Sequence, residues 1–337
     1  MVRAVAVPLK KAEQVRKKLA ALRLIDFGYV PKRTKKAVYF AVTKAPPGMR
    51  PLNVPLQKTQ RKPRNLREAL ARLLSEDELT QLVKSFDMIG SLAVIEIPKE
   101  LTKREKAIAK ALMSVHPNLK TVAKRAGPFR GKFRVRPLKV IAGSRKTETE
   151  CKEGGLRYLV DPAKMYYSPR LASERARIAS QVMRDERIIV LFAGVGPYAI
   201  AMARQRPTAE VLAVELNPAA FRYLKQNIKL NGAWNVIPIL RDAAQVLRFY
   251  PGWADRIVMP LPHSAHEFLE AAIRAAATKG TIHFYSFGPE SAPYERALEH
   301  IQQAAKRADR HVHILYKGHV IDYAPRTVET VIDFRVD

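Results

Sequence analysis

The second half of the chain alternates β-strand and helix patterns, and this alternation constrains the fold more than any other feature. Short apolar segments that read as strands occur at 187–196, 210–217, 235–243, 255–263 and 281–287. Amphipathic helices fill the gaps, and strands joined by helices in this way form parallel sheets. The last two β-rich segments, 311–323 and 328–336, have no helix between them. We therefore expect an α/β domain in which an antiparallel hairpin is appended to a parallel sheet.

A glycine-containing loop, LFAGVGPYAI, follows the first of these strands. Gly194 and Gly196 allow the backbone to turn sharply and to approach a ligand, with a helix N-terminus directly behind them. Glu215 ends the next strand nineteen residues after Gly196, where a carboxylate can accept both hydroxyl hydrogens of a ribose. Asp242 ends the third strand, where it can face an adenine edge. The pattern indicates a cofactor that contains adenosine.

Two adenosine cofactors are compatible with this loop. The spacing Gly194-x-Gly196-x-x-Ala199 also satisfies the relaxed fingerprint of NAD dehydrogenases, and a glycine turn without a ligand is a third alternative. S-Adenosylmethionine is favoured because the loop lies late in the chain, behind a basic segment, and because the sheet ends in a hairpin. The proline after Gly196 also leaves a less open helix N-terminus than the pyrophosphate of NAD needs.

The basic residues are concentrated in the first half of the chain. The 337 residues include 60 Lys and Arg against 31 Asp and Glu, a formal net charge of +29. Residues 1–150 hold 35 basic and 12 acidic residues, a net of +23, whereas 151–337 hold 25 and 19, a net of +6. Heat-adapted proteins are also rich in Lys and Arg, but their content of acidic residues increases together with the basic residues. The excess therefore predicts a polyanionic partner, nucleic acid in preference to an anionic membrane surface.

Cysteine use and hydropathy bear on the cellular compartment. The single cysteine, Cys151, excludes a disulfide framework and fits a reducing environment. The sequence has no stretch of roughly 18 apolar residues that would span a membrane. The first residues, MVRAVAVPLKK, reverse the charge order of a signal peptide. We therefore expect a soluble cytoplasmic protein.

The chain divides by composition into four parts. Residues 1–43 read as a small α/β unit. Segment 44–66 contains five prolines, six bases and no acid, which predicts an extended linker. Residues 67–160 read as helices followed by strands around a turn at Gly90, which predicts a small α+β domain. Residues 161–337 then form the α/β domain described above.

Alternating bases occur in the segment GKFRVRPLKVI of the second domain. Strand side chains repeat every two residues, so Lys132, Arg134 and Arg136 share one face if this segment is a strand. Such a face is either solvated or forms a basic surface for phosphates or a base. The pattern alone leaves both interpretations open.

Four motifs together resemble one enzyme family. They are KMYYSPRLASERARI at 164–178, FRVRPLKVIAG, the glycine loop and MPLPHSAHEFL. From about residue 67 onward the chain resembles the archaeal and eukaryotic tRNA guanine-37 N1-methyltransferase family, and 1–43 looks like that family's small N-terminal domain. The resemblance implies a class I, Rossmann-like methyltransferase domain preceded by two small α+β domains. It also implies S-adenosylmethionine as cofactor, and the anticodon loop of tRNA, with the tRNA elbow, as partner.

The resemblance also assigns roles to individual residues. Glu174 matches the family's proton acceptor and Arg134 the arginine that contacts the guanine O6; a structural ion pair is the alternative for both. The residues implied to hold the cofactor are Arg175, Phe192, Ala193, Gly194, Gly196, Glu215, Leu216, Asp242 and Ala243. The residues implied to contact the target base are Arg136, Tyr167, Pro260 and Pro262.

One motif departs from the family pattern. Family members carry Asn-x-Pro after the fourth strand, whereas this chain has Pro260-Leu261-Pro262-His263 and lacks the amide that contacts the base. The archaeal subgroup that the sequence resembles includes enzymes that also methylate the tricyclic nucleoside 4-demethylwyosine, giving isowyosine. A pocket relieved of a polar contact suits a larger, flat base. We therefore expect N1-methylation of guanosine 37 and C7-methylation of 4-demethylwyosine 37.

Two other functions stay open at this point: methylation of another RNA position, and RNA binding without catalysis by a vestigial Rossmann domain. His263 and His266 lie three residues apart, but no cysteine or carboxylate cluster accompanies them in the sequence, so we expect no metal site. We also expect a monomer that has no membrane partner.

Overall fold

The computed structural model describes residues 1–22, 24–58, 63–71, 73–82, 86–128, 131, 133 and 135–337. The chain divides into two compact units, Met1–Ala69 and Leu70–Asp337. Within the described ranges, no helix is both long enough and apolar enough to cross a membrane.

A four-stranded antiparallel sheet forms the first unit. Its elements are β1 (Val2–Pro8), a 3-10 turn (Leu9–Lys11), α1 (Ala12–Ala21), β2 (Lys32–Arg33), β3 (Ala37–Ala41) and β4 (Leu52–Val54). The strands lie in the order β2-β3-β1-β4. Leu19 of α1 is buried in one core with Val7 of β1 and Phe40 of β3, so the helix packs on the sheet through its apolar side.

Part of segment 44–66, predicted to be a linker, belongs to this sheet instead. Leu52–Val54 pairs with β1 in antiparallel register, with Val2 opposite Val54. The prolines of the segment lack N–H groups, but residues 52–54 keep theirs and can complete the ladder along the edge of β1. The composition therefore predicted an extended chain correctly but not its pairing. Residues 59–62 of the segment lie outside the described residues.

A second four-stranded sheet lies in the first part of the larger unit. The elements that follow β4 are α2 (Leu66–Leu70), α3 (Glu76–Gln81), β5 (Phe86–Ile89), β6 (Leu92–Ile95), a 3-10 helix (Lys99–Arg104), α4 (Glu105–Val115), β7 (Thr121–Arg125), β8 (Leu138–Gly143), β9 (Thr149–Glu153) and β10 (Leu156–Val160). Strands β5 to β8 form one sheet, in which β6 and β7 are parallel and the other pairs antiparallel. Strands β9 and β10 form a separate hairpin.

Two segments of this region differ from expectation. Residues 86–89, predicted within a helical stretch, form β5, because Gly90 adopts a φ of +56° and the chain returns as β6. Strand β8 begins at Leu138, after a proline that has no N–H to donate to the ladder. Arg136 therefore precedes the strand, and Lys132 and Arg134 lie outside the described residues.

The remaining residues form a seven-stranded sheet with helices on both faces. Its strands are β11 (Arg187–Val190), β12 (Glu210–Glu215), β13 (Val236–Leu240), β14 (Ala254–Met259), β15 (Ala276–Pro289), β16 (Val312–Ala324) and β17 (Thr327–Val336). Its helices are α5 (Ala172–Ser180), α6 (Pro197–Gln205), α7 (Pro218–Asn231), α8 (Ala243–Leu247), α9 (Leu269–Ala275) and α10 (Glu295–Ala308), with 3-10 turns at Pro169–Leu171 and Ala265–Phe268. The strand order is β13-β12-β11-β14-β15-β17-β16, and β17 is antiparallel to both neighbours. The predicted parallel sheet with an appended hairpin is confirmed.

Alternate residues of the central strands enter two hydrophobic cores, one on each face of this sheet. On β12, Val211 and Ala213 enter one core and Leu212 enters the other. The first core also contains Leu92 of β6 and Tyr158 of β10. The smaller sheet and the β9–β10 hairpin therefore share a core with the larger sheet, so residues on either side of 160 belong to one packed unit.

Helix α7 connects this core to the glycine loop. The Asn217 side chain caps its first turn, and Gly232 ends it in a left-handed conformation. Asn227 is fully buried in the middle of the helix. Its Oδ1 accepts from the N–H of Leu159 (2.8 Å), and its Nδ2 donates to the carbonyls of Leu159 (3.0 Å) and Val195 (2.9 Å).

The Asn227 side chain supports a stability prediction. In an Asn227→Leu variant the buried N–H and the two carbonyl groups lose their partners, and we expect the free energy of unfolding to fall by roughly 2–4 kcal/mol. Urea denaturation followed by circular dichroism measures this change. Gln226→Leu, at the neighbouring exposed position of α7, is the matched control and should change stability by less than about 0.5 kcal/mol. Equal effects of the two variants would contradict the prediction.

Candidate active site

A cavity of about 360 Å³ opens at the carboxyl ends of the parallel strands, where open α/β sheets bind their ligands. Residues that follow β11, β12 and β13 line one end. The residues of this first group are Phe192, Gly194, Val214, Glu215, Leu216, Asp242 and Ala243. Residues after β14 and on β15 to β17 line the other end, because the strand order places them on the opposite side of β11. The second group includes Pro260, Pro262, His263, Phe287, Tyr323 and Glu329.

The two glycines of the loop serve different purposes. Gly194 lines the cavity with a φ of +60°, and a Cβ built on it would meet no atom within 4 Å, so its missing side chain leaves room for a ligand. Gly196 caps α6 with a φ of +92°, and a Cβ there would lie 2.5 Å from Leu224 Cδ1. Gly196 therefore allows close packing of α6 and α7. Ala193 is buried, and its N–H donates to the carbonyl of Val214 (2.9 Å).

Glu215 is held in place by the backbone on both sides of it. Its Oε2 accepts from the N–H of Gly194 and its Oε1 accepts from the N–H of Asn217, both at 2.6 Å. Burial raises the pKa of Glu215, although these backbone N–H groups lower it. A carboxylate has about four lone-pair directions, so the two oxygens can still accept the hydroxyl hydrogens of a ribose.

The walls around Glu215 fit the adenosine part of a cofactor. Phe192 packs edge to face against Phe268, with ring centroids 5.0 Å apart, and both side chains line the cavity. Asp242 lines the cavity beside Ala243 and caps α8, since its Oδ1 accepts from the N–H of Ala244 (3.0 Å). The first group therefore combines apolar walls, an open glycine and fixed carboxylates, which suits S-adenosylmethionine.

Aromatic rings dominate the opposite end of the cavity. The rings of Phe287 and Tyr323 lie 4.1 Å apart, and the ring of His263 contacts Phe287 edge to face at 6.4 Å. Tyr166 also lines this end and is half-exposed. These rings provide flat apolar surfaces of the kind that stack on an extruded base. Pro260 and Pro262, which the family resemblance places at the target base, line the cavity.

Glu174, predicted to be the proton acceptor, does not line the cavity. It is buried on α5, where Arg177 Nε donates to its Oε2 and Arg177 Nη2 donates to its Oε1, both at 2.8 Å. Tyr285 Oη also donates to Oε1 at 2.6 Å. Glu174 therefore forms an ion pair, one of the alternatives considered from the sequence, although its partner is Arg177.

Two further predicted site residues lie behind the cavity wall. Arg175 is buried and donates to the Glu153 carboxylate (Nε–Oε1 2.6 Å) and to the carbonyl of Ser168 (3.0 Å). Tyr167 is also buried, and its Oη donates to Glu153 Oε2 (3.0 Å). Neither lines the cavity, so both support the segment that carries Tyr166. Arg136 does not line the cavity either. Arg134 lies outside the described residues.

Glu329 is one of the cavity residues that were not predicted from the sequence, as are Phe287 and Tyr323. It lies on β17, is only 4% exposed, and lines the end of the cavity that the aromatic rings form. Burial, and then the negative charge of Glu174, raise the pKa of Glu329 to about 7. One signal was available in the sequence: Glu329 and Asp333 are acidic residues within the β-rich segment VETVIDFRV.

The two histidines considered as metal ligands point to different neighbours. The ring of His263 contacts Phe287, whereas the ring of His266 stacks on His300 with centroids 4.5 Å apart. In the part of the chain that the structure describes, no group of three His, Cys, Asp or Glu residues is placed to hold a metal ion.

Comparison with known proteins identifies the family. The family described as TRM5/TYW2 methyltransferase domain matches residues 149–315, the TYW2 N-terminal domain matches 66–147, and the tRNA methyltransferase 5 N-terminal domain matches 4–50. The tRNA (guanine(37)-N(1))-methyltransferase Trm5b of Pyrococcus abyssi is 41% identical over 336 residues, covering 100% of this chain and 99% of that protein. The chain belongs to the Trm5/TYW2 methyltransferase family.

Other members of the Trm5/TYW2 family match either part of the chain or its full length. The tRNA 4-demethylwyosine(37)-methyltransferase Taw21 of Saccharolobus solfataricus is 35% identical over 205 residues, 60% of this chain and 78% of that protein. The solved complex of aTrm5 with tRNALeu superimposes with a TM-score of 0.85 at 29% identity and covers 100% of both chains. A solved TYW2 structure holds S-adenosylmethionine and a solved Trm5 structure holds adenosine. The cofactor of this Trm5/TYW2 protein is S-adenosylmethionine.

The contacts of Glu215 generate a binding prediction. In a Glu215→Gln variant one oxygen becomes an NH₂ group that faces a backbone N–H, and the acceptor for one ribose hydroxyl is lost. We expect the Kd for S-adenosylmethionine, measured by calorimetry, to rise roughly 10- to 100-fold, since a hydrogen bond to a charged group contributes about 1.5–3 kcal/mol. Glu210→Gln, at the exposed start of the same strand, is the control and should bind as the wild type does. Unchanged affinity in Glu215→Gln would show that this carboxylate does not hold the ribose.

Proposed function

We propose that this protein methylates N1 of guanosine 37 in tRNA, using S-adenosylmethionine as the methyl donor. The observation that supports this most directly is the cavity itself, in which the end around Glu215, which suits adenosine, adjoins an end lined by aromatic rings. The full-length similarity to Trm5b narrows the substrate class to tRNA and the target to a purine next to the anticodon. Taken together, the cavity and the similarity favour an enzyme over an RNA-binding protein without catalysis.

The chemistry requires little activation of the donor. A sulfonium methyl group is already electrophilic, so the protein must align the base with it and remove a proton. Neutral guanine carries a proton on N1, and a carboxylate within hydrogen-bond reach can accept that proton as the N1–C bond forms. A cation at O6 stabilises the negative charge that develops there, and the family resemblance gives this role to Arg134.

Charge supports tRNA as the partner. The net charge of +23 on residues 1–150 suits the phosphate backbone, and binding of this kind weakens steeply as salt rises. We propose that the methyltransferase domain binds the anticodon loop, that the N-terminal unit contacts the elbow, and that one copy of the chain acts as a monomer. Analytical ultracentrifugation of the protein with and without tRNA tests the monomer.

Mass spectrometry of nucleosides tests the proposed reaction. Purified protein, S-adenosylmethionine and a tRNA transcript with G37 should yield 1-methylguanosine, and the same transcript with A37 is the control that should yield none. Product from G37 but not from A37 fixes both the base and the position. Methylation at another nucleotide would favour the alternative of a different RNA position, and no product at all would favour RNA binding without catalysis.

A second substrate, 4-demethylwyosine 37, is supported by a separate observation. Pro260 and Pro262 line the cavity where the family motif has an amide donor, and proline has no N–H. The rings of Phe287 and Tyr323, whose centroids lie 4.1 Å apart with their planes inclined by 33°, offer apolar surfaces for a tricyclic base. The similarity to Taw21 is consistent with this extension. We propose that the same site also transfers a methyl group to C7 of 4-demethylwyosine.

Pro260 allows the two substrates to be separated. A Pro260→Asn variant restores the amide, and we expect its preference for guanosine over 4-demethylwyosine to rise about tenfold, the value of one net hydrogen bond. Competition between the two tRNA forms, read by mass spectrometry, measures the ratio. Pro251→Asn, in an exposed turn away from the cavity, is the control. If the wild-type protein methylates guanosine but not 4-demethylwyosine, the proposal of a second substrate is wrong.

A further inference from the structure

Glu174, to which the family resemblance gives the role of proton acceptor, has most of its hydrogen-bonding capacity occupied. A carboxylate has about four lone-pair directions on its two oxygens. Oε1 accepts from Arg177 Nη2 (2.8 Å) and from Tyr285 Oη (2.6 Å), and Oε2 accepts from Arg177 Nε (2.8 Å). Among the contacts that the described residues make, a lone-pair direction on Oε2 is therefore left for a proton.

Arg177 is held by contacts with three elements. It donates two hydrogen bonds to Glu174 on α5, and its Nη1 donates to Asp333 Oδ2 on β17 (2.7 Å). Its guanidinium carbon also lies 4.6 Å from the ring centre of Tyr316 on β16, a distance at which an aromatic ring attracts a cation. Because a guanidinium is planar and rigid, these contacts fix its orientation. Glu174, which is bound through both oxygens, is fixed with it.

The charge of Arg177 offsets the cost of burying an ionised Glu174. Glu174 is only 9% exposed, and loss of hydration favours the protonated form of a carboxylate. A carboxylate that already holds a proton cannot accept another from the base. Arg177 stays protonated and so favours the ionised form. Ionisable groups that face this pair from neighbouring elements are Tyr198 of α6, His283 and Tyr285 of β15, Tyr316 of β16, and Glu329 and Asp333 of β17.

The two carboxylates that Arg177 contacts depend on it to different degrees. Asp333 also accepts from His283 Nδ1 (2.7 Å), and Arg256 contacts the other ring nitrogen. Glu174 has the Tyr285 hydroxyl as its other donor within the described ranges, and the Glu329 carboxylate lies close enough to repel it. Without Arg177 we therefore expect Glu174 to take up a proton before Asp333 does.

We infer that Arg177 is a positioning residue for the methyl transfer: it keeps Glu174 ionised and presents Oε2 as the oxygen that accepts the N1 proton of the target guanine. The inference rests on the proposed function. As the methyl group passes from sulfur to N1, the N1–H bond breaks and the proton passes to Oε2. The N1 electron pair forms the bond to the methyl carbon, and the sulfur–carbon pair stays on sulfur. The products are 1-methylguanosine, S-adenosylhomocysteine and a proton that Glu174 then releases.

Single-turnover rates measured as a function of pH test the inference. Removal of an adjacent cation disfavours an ionised carboxylate by about 1–3 pH units. In Arg177→Gln the pH at which the rate reaches half its plateau should therefore move upward by at least about one unit. The rate at pH 7 should fall roughly tenfold or more and should recover as the pH is raised. A purely structural defect does not recover in this way.

Two further variants separate ionisation from orientation. In Glu174→Gln the acceptor is absent, so the rate should fall roughly 10²- to 10⁴-fold and should not recover at high pH. In Arg177→Lys the charge is kept but the paired donors are lost, so the half-plateau pH should stay near that of the wild type. Its plateau rate should fall roughly 3- to 10-fold, the value of one net hydrogen bond.

Cofactor binding and a matched arginine serve as controls. The Kd for S-adenosylmethionine should stay within roughly twofold of the wild type in each variant, because Arg177 does not line the cavity. Arg184→Gln, an exposed residue in the turn before β11, should show the wild-type rate and pH profile. If Arg177→Gln does not fold, Arg177→Lys decides: a plateau equal to that of the wild type would contradict the inference.

The outcomes separate the inference from the proposed function. Wild-type methylation of G37, together with a wild-type rate and pH profile in Arg177→Gln, would overturn the inference and leave the proposed function intact. A folded Arg177→Gln variant whose lost rate does not recover at high pH would also overturn it, because Arg177 would then not act on the ionisation of Glu174. If the wild type makes no 1-methylguanosine, the proposed function fails, and the inference fails with it.

Discussion

The Arg177 guanidinium holds helix α5 onto the sheet, and the arrangement of the site depends on this interaction. Arg177 donates to Glu174 on its own helix and to Asp333 on β17 (Nη1–Oδ2 2.7 Å). Asp333 in turn accepts from His283 Nδ1 (2.7 Å), and Arg256 contacts the other ring nitrogen at 2.6 Å. Because Arg256 can only donate, His283 is the neutral tautomer with its proton on Nδ1. Burial is the main cause that lowers the pKa of His283, in keeping with that tautomer.

Acidic and basic side chains alternate along this series of hydrogen bonds. The alternation explains how so many ionisable groups can be buried together. Arg256 continues it by donating to Glu186 (2.9 Å), another buried residue. Each buried charge would be costly alone, but each has an opposite neighbour at hydrogen-bond distance. Glu329 lies on the same strand as Asp333, outside this chain of pairs. The charge network therefore fixes the helix and the strand that flank the cavity.

The residues that line the cavity around Glu215 could be predicted from the sequence much better than those at its aromatic end. The glycine loop, Glu215 and Asp242 follow consecutive βα units, where local spacing determines position. The aromatic end is assembled from β15, β16 and β17, which antiparallel pairing brings together over long sequence separations. Spacing carries no information about which side of α5 faces the cavity, so it could not show that Glu174 points at Arg177.

The parallel sheet and its appended hairpin could be predicted from the alternation of strand and helix patterns along the sequence. The two added strands, β4 and β5, could not be predicted, because each depends on an edge that another strand offers. Leu52–Val54 lies among prolines and bases, and only the open edge of β1 gives it a partner. Family resemblance supplied roles for Tyr167 and Arg175, but their contacts with Glu153 are tertiary and visible only in the structure.

The insertion of β17 between β15 and β16 has a consequence for the order of assembly. During synthesis β17 leaves the ribosome after β11 to β16, yet it forms part of the cavity wall. The βα units from β11 to β14 can pack earlier, so the adenosine half takes shape first. The aromatic end of the cavity is completed only when β17 enters the sheet. A growing chain thus acquires the residues around Glu215 before it has Glu329 at the other end of the cavity.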